Sequence, residues 1–205
     1  RELFQKLAIT ENALMEVTER PSGVLKVTTP YSFGATWLSS QLNEFAELFP
    51  EIRIELILSD HTLDLNAGDA NLAIYMHPTK RPDLIQRPLV NIHSSLFASN
   101  DYLRVHGVPK QFADLAGHRV MTLVEAGGSP QMDFNWLQKR ASQEGVTLDV
   151  AFSVNNLMAL LRVVKSGMGI AVLPDFIVER ARHVSRVLEE AQGDPVETYI
   201  VYPMD

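Results

Sequence analysis

Between Gly23 and Tyr75 the sequence alternates between two kinds of hydrophobic spacing, and that alternation limits the folds open to the chain more than any other feature. "VLKVTT" reads as a strand and Pro30 breaks it. Ser32 is placed to cap a helix from Phe33 to Leu48, along which Leu38, Leu42, Phe45 and Phe49 share a face. After Pro50, "IRIELIL" alternates Ile52, Ile54, Leu56 and Leu58 as a half-buried strand does. A helical turn or two around Leu63 and Leu65, a stop at Gly68 and a short strand over Leu72 to Tyr75 follow. This is β-α-β-α-β order. It implies a parallel sheet covered on both faces, with right-handed crossovers.

The rest of the chain continues in the α/β manner. "PLVNIHSSLFASNDYL" predicts an apolar strand ending near Ala98, with Ser99, Asn100 and Asp101 offering a cap for a short helix. "VHGVPKQFADLAGHRVMTL" reads as loop, helical turn and strand, and "EAGGSPQMD" as a glycine-rich loop. Residues 132–145, around "WLQKRASQEG", read as irregular or strand-like and then solvated. "VAFSVNN" is a strand running into Asn155 or Asn156 as the cap of the helix "LMALLRVVKS". Gly167 stands where a helix-ending glycine of positive φ belongs, and Gly169 permits a close reversal into the buried strand "IAVLP". Upstream, Leu3, Leu7, Leu14 and Val17 form one sparse helical stripe ahead of Pro21-Ser22-Gly23, a helix and then a linker.

Composition excludes several functions. With 205 residues and a net charge of −7, the chain has no bulk attraction for nucleic-acid phosphates or anionic lipid. It has no cysteine, hence no disulfide or thiolate metal site. The charged start and the lack of a long apolar run favour a cytoplasmic protein with no membrane partner. "GMGIAV" resembles a phosphate loop only in part, because its third glycine is Val172 and it runs from helix to strand, the reverse of the nucleotide-binding order. The histidines show no ligand spacing, and Asp60, His61 and Asp64 read as a solvated helix entry. No cofactor, metal site or catalytic constellation is expected.

"GVLKVTTPYSFGATWLSSQLNEFAELFPEIRIELILSD", "LFASNDYLRVHGVPKQFADLAGHRVMTL" and "VNNLMALLRVVKSGMGIAVLP" together resemble the effector-binding domain of LysR-type transcriptional regulators. The resemblance implies two Rossmann-like α/β subdomains of periplasmic-binding-protein type II architecture, joined by two crossing strands, with a small-molecule effector held between them. It assigns residues 1–20 to the end of a linker helix, 23–94 with 198–205 to subdomain I, and 95–197 to subdomain II. The crossings fall near His93 to Leu96 and Pro195 to Tyr199, where closure would be absorbed. It further implies DNA binding through an N-terminal winged helix-turn-helix that this sequence lacks, homodimers or homotetramers, and contact with RNA polymerase. Two departures stand out. Where the family carries Asp and Arg around the third strand this chain has Asn71 and Tyr75 in "NLAIY", and it stops at "VYPMD", before a last helix the family leads one to expect. A transporter's solute-binding protein is the alternative on the same architecture.

The candidate ligand residues are Thr29, Tyr31, Ser32 and Phe33 at the first strand-to-helix turn, Ser99 at the second, Gly128 and Ser129 (with Gly127) in the glycine-rich loop, and Asn155. Thr29 is a group at the sheet's carboxyl edge or a buried threonine bonded to backbone. Ser32, Ser99 and Asn155 or Asn156 are helix caps, ligand contacts, or both. Bare helix N-termini at Thr29 to Phe33 and Ala98 to Asp101 favour an anion, hence a carboxylate-bearing effector. Trp37 and Leu48 lie to one side of the Phe33–Leu48 core stripe, which predicts that this helix packs across a dimer interface.

Overall fold

Strand β1 (Gly23–Thr29) and strand β2 (Ile52–Leu58) run parallel in continuous register from Gly23 opposite Ile52 to Thr29 opposite Leu58, so the first two strand-like segments of the sequence pair as neighbours. The structure is a computed structural model that describes residues 21–124, 136–179 and 181–204. The helix expected upstream within residues 1–20 and the loop expected at Gly127, Gly128 and Ser129 fall outside the described residues. The chain forms two units, dividing between Leu89 and Val90 and again between Thr198 and Tyr199.

The first unit carries helix α1 (Tyr31–Thr36), a 3-10 turn (Leu38–Ser40) and helix α2 (Leu42–Leu48) between β1 and β2, then a 3-10 turn (Leu65–Ala67) and strand β3 (Leu72–Tyr75). Strand β4 (Leu84–Ile92) and the final strand β10 (Val196–Pro203) complete a five-stranded sheet in the order β2-β1-β3-β10-β4. β3 is parallel to β1 and β10 antiparallel to β3, so the sheet is mixed. Pro88 is tolerated because β4 is an edge strand, where a missing amide interrupts no inner ladder. Leu65, Ala70, Ala73, Tyr75, Leu84 and Val201 form a core cluster against which Tyr199 packs.

The second unit is built from β5 (Ser94–Ser99), α3 (Asn100–His106), a 3-10 segment (Phe112–Gly117), β6 (Arg119–Leu123), α4 (Trp136–Glu144), β7 (Asp149–Val154), α5 (Leu157–Lys165), β8 (Ile170–Pro174), α6 (Asp175–Val178) and β9 (Val184–Gln192). Its sheet order is β7-β6-β8-β5-β9, with β6 parallel to β7 and β8, and β5 antiparallel to β8 and β9. The corner after α5 forms as its glycines predict. Asn156 caps the helix by accepting from the Ala159 amide at 3.0 Å, Leu157, Leu160, Leu161 and Val164 are buried, and Gly167 takes φ +84°. Gly169 then passes so close to the Arg119 carbonyl that a Cβ would overlap it, and all of β8 is buried.

Four local expectations are corrected. The helix expected over Phe33–Leu48 is broken into α1, a 3-10 turn and α2. Its hydroxyls account for the break: Thr36 Oγ1 donates to the Ser32 carbonyl at 2.7 Å, Ser39 Oγ to Ala35 at 3.1 Å and Ser40 Oγ to Trp37 at 2.7 Å, competing with the helical ladder. The strand expected through residues 88–98 is two strands that belong to different sheets and separate at His93. Residues 136–144 are helical, not irregular, because Leu137 and Ala141 supply a narrow buried stripe and Arg140 pairs with Glu144 at 2.7 Å one turn on. Ser32 is not a cap, as described next.

Candidate ligand site at the ends of the sheets

At the carboxyl end of β1, Pro30 (φ −53°, ψ 142°) turns the chain directly into α1 and stands at the N-cap itself. Its fixed φ presets the turn and puts the cap two positions ahead of Ser32, the residue expected to hold it. Ser32 therefore lies inside the first turn, 6% exposed, and makes no capping bond. The cap is remote in sequence: Asp60, just past β2, accepts the Tyr31 amide at 3.0 Å. Asp60 is thus not a merely solvated helix entry.

Thr29 is 1% exposed, and its Oγ1 is buried without a hydrogen-bond partner among the described residues. Leaving a buried hydroxyl unpaired costs about 1–3 kcal/mol, so the position is one that a ligand's acceptor would relieve. The methyl of the same side chain faces α1, where a Cβ on Gly34 would lie 2.5 Å from Thr29 Cγ2 and overlap Leu58. Glycine lets the helix press onto the ends of β1 and β2. Phe33, 1% exposed, stacks on Trp37 at 4.8 Å between ring centres, while Tyr31 is 43% exposed. Thr29, Tyr31, Ser32 and Phe33 are accordingly brought together at one sheet end.

The second unit separates its two expected contacts. Ser99 pairs with Val184, beside the start of β8, whereas Asn155 follows β7 at the ends of β6 and β8; because β5 runs against those strands, the two residues lie at opposite ends of the sheet. Ser99 is a buried cap, its Oγ accepting the Tyr102 amide at 3.2 Å. Asn155 is exposed, and its neighbour Asn156 does the capping.

The end that Asn155 shares holds polar groups that sequence reasoning missed. Ser95, fully buried, donates to Asp175 Oδ1 at 2.9 Å, and Ser94 Oγ accepts from Trp136 Nε1 at 3.1 Å. The signal available was "SS" inside the apolar run "NIHSSLFAS", since two hydroxyls in a buried strand need partners. Thr198, 1% exposed, accepts the Val90 amide at 3.1 Å and donates to the Val90 carbonyl at 2.6 Å, tying the two chain crossings together.

Comparison with known proteins decides the family. The LysR substrate binding domain profile matches residues 18–205. The chain belongs to that family. An "HTH-type transcriptional regulator" of Xanthomonas campestris is 28% identical over 204 residues, covering 98% of this chain and 59% of the relative. The structure of CrgA, a LysR-type transcriptional regulator from Neisseria meningitidis, superposes with a TM-score of 0.78 at 25% identity, covering all of this chain and 69% of that one. The CrgA regulatory domain alone gives 0.73 at 25% identity, covering 90% and 91%. This LysR-family domain spans about three-fifths of the length of the curated relative from Xanthomonas. Its two five-stranded sheets are the periplasmic-binding-protein type II architecture expected from the sequence. Among the described residues no helix is long and apolar enough to cross a membrane, and no cluster of three acidic or histidine side chains is placed to hold a metal ion.

Proposed function

We propose that this domain is the ligand-sensing part of a cytoplasmic, DNA-binding transcriptional regulator that works by binding and conformational change and not by catalysis. The family match over residues 18–205, together with relatives named as HTH-type regulators, carries the reading. In this reading DNA is held by a helix-turn-helix elsewhere in the full protein and the regulator acts as a dimer or tetramer. The same relatives favour a regulator over a transporter's solute-binding protein.

The ligand site centres on Thr29, whose buried hydroxyl lacks a partner among the described residues, with Ser32 and Phe33 beside it. The expected carboxylate-bearing effector would have to share this helix start with Asp60. An exposed helix start favours an anion by about 0.3–1 kcal/mol, and a like charge at the same helix start works against it. Asp60 already places its carboxylate on the Tyr31 amide. The effector is therefore a small polar molecule that offers an uncharged acceptor oxygen to Thr29. Thermal-shift screening of paired acids and their amides against the chain, followed by calorimetry, tests this. An amide or ester bound at least tenfold more tightly than its acid, with loss of binding in Thr29→Val, supports the site, and preference for the acid rejects it.

A further inference from the structure

An open cavity of about 470 Å³ lies wholly within the second unit between α6 and β9, lined by Phe97, Asp175, Phe176, Val178, Glu179, Val184 and Arg186. Phe97 and Arg186 are direct cross-strand partners on β5 and β9, so the aromatic floor and the guanidinium are fixed side by side. Arg186 Nη2 donates to the Glu189 carbonyl at 3.1 Å, but its Nε is buried and has no hydrogen-bond partner among the described residues. The register shifts between Ser95 and Leu96, and Leu188 takes φ +50°, unusual for a branched residue. Such bulges re-aim the side chains beside them. One terminal nitrogen is thus anchored while the neighbouring N–H is left to another acceptor.

We infer that this cavity binds a free α-amino acid with an apolar side chain. The Arg186 Nε–H calls for an acceptor, and guanidinium recognises carboxylate well. A simple carboxylic acid suits the cavity poorly, because Asp175 at the start of α6 and Glu179 just past its end set two carboxylates against one guanidinium among the described lining residues. A zwitterion resolves the mismatch: its carboxylate meets Arg186, its ammonium meets Asp175 and Glu179, and its side chain covers Phe97, Phe176, Val178 and Val184. Asp175 is also hydrogen-bonded by Ser95, which holds that carboxylate in place. Nothing in the inference rests on the Thr29 site.

Calorimetry of the full chain with L-phenylalanine as probe, beside 3-phenylpropanoate and phenethylamine, tests the charge pattern. One-to-one binding of L-phenylalanine, at least tenfold tighter than either single-charge analogue and weakened at least tenfold in Arg186→Gln, supports the site. Equal binding of an analogue, or no binding of L-phenylalanine at 10 mM, overturns it. Should Arg186→Gln not fold, methyl NMR of the unaltered chain decides. Shifts on titration at Val178 and Val184, with Val27 near Thr29 unmoved, support the cavity, and the reverse pattern overturns it.

Discussion

At residue scale, Thr29 sets stability against function. Thr29→Val keeps the shape and removes the unpaired hydroxyl, so the folded state is expected to gain about 1 kcal/mol, read as a higher urea midpoint at unchanged slope. Effector affinity should fall in the same variant, and a fall in both quantities would show that the hydroxyl is paired in the apo protein. Ser99→Ala separates a cap from a ligand contact: it should cost about 1 kcal/mol through the lost bond to the Tyr102 amide and leave effector affinity unchanged. Gly34→Ala forces a Cβ against Thr29 and Leu58 and is expected to cost about 1–3 kcal/mol by overpacking. A wild-type melting temperature in that variant would mean α1 can lift from the sheet end without loss.

At the scale of elements, the contact between α3 and β6 is expected to respond to pH. Tyr102 Oη accepts the Arg119 amide at 3.0 Å and lies at hydrogen-bonding distance, 3.2 Å, from His118 Nδ1. His118 is 7% exposed, and burial first, then the nearby His106, pushes its pKa below the ordinary value, against an opposing pull from Asp114. With the folded-state pKa depressed, the unfolded chain binds more protons below about pH 6.5, so stability rises with pH there and is lost on acidification. Urea midpoints from pH 5 to 7.5 should show that slope, and His118→Gln should flatten it. Most of the elements were legible in the sequence because their signals are local: the alternation of β2, the Asn156 cap and the Gly167 stop each act within a few residues. What escaped depends on contacts that exist only once the chain has folded. The break in Phe33–Leu48 comes from hydroxyls that choose carbonyls only once a helix exists. The cap on α1 comes from Asp60, 29 residues past Tyr31. The separation of Ser99 from Asn155 follows from β5 running antiparallel, which no local pattern encodes.

At the scale of the whole molecule, the apolar surface that bears on pairing is Leu48 at the end of α2 and Trp37 ahead of it. A broad core stripe would have buried both residues that lie beside the Leu38, Leu42 and Phe45 face, but Leu48 is 58% exposed and Trp37 is only half-buried against Phe33. Self-association through this helix would remove that surface from water, with about 25 cal/mol gained per Å² of apolar area. The net charge of −7 on each copy opposes pairing, yet charges more than about 8–10 Å apart are screened at physiological salt, so the apolar term should prevail there and weaken at low ionic strength. Sedimentation velocity at about 100 μM is expected to show a dimer whose fraction rises with salt, and Leu48→Glu is expected to return it to monomer. A wild-type monomer at that concentration would leave Leu48 an isolated exposed leucine of no consequence. A dimer indifferent to Leu48→Glu would move the interface off α2.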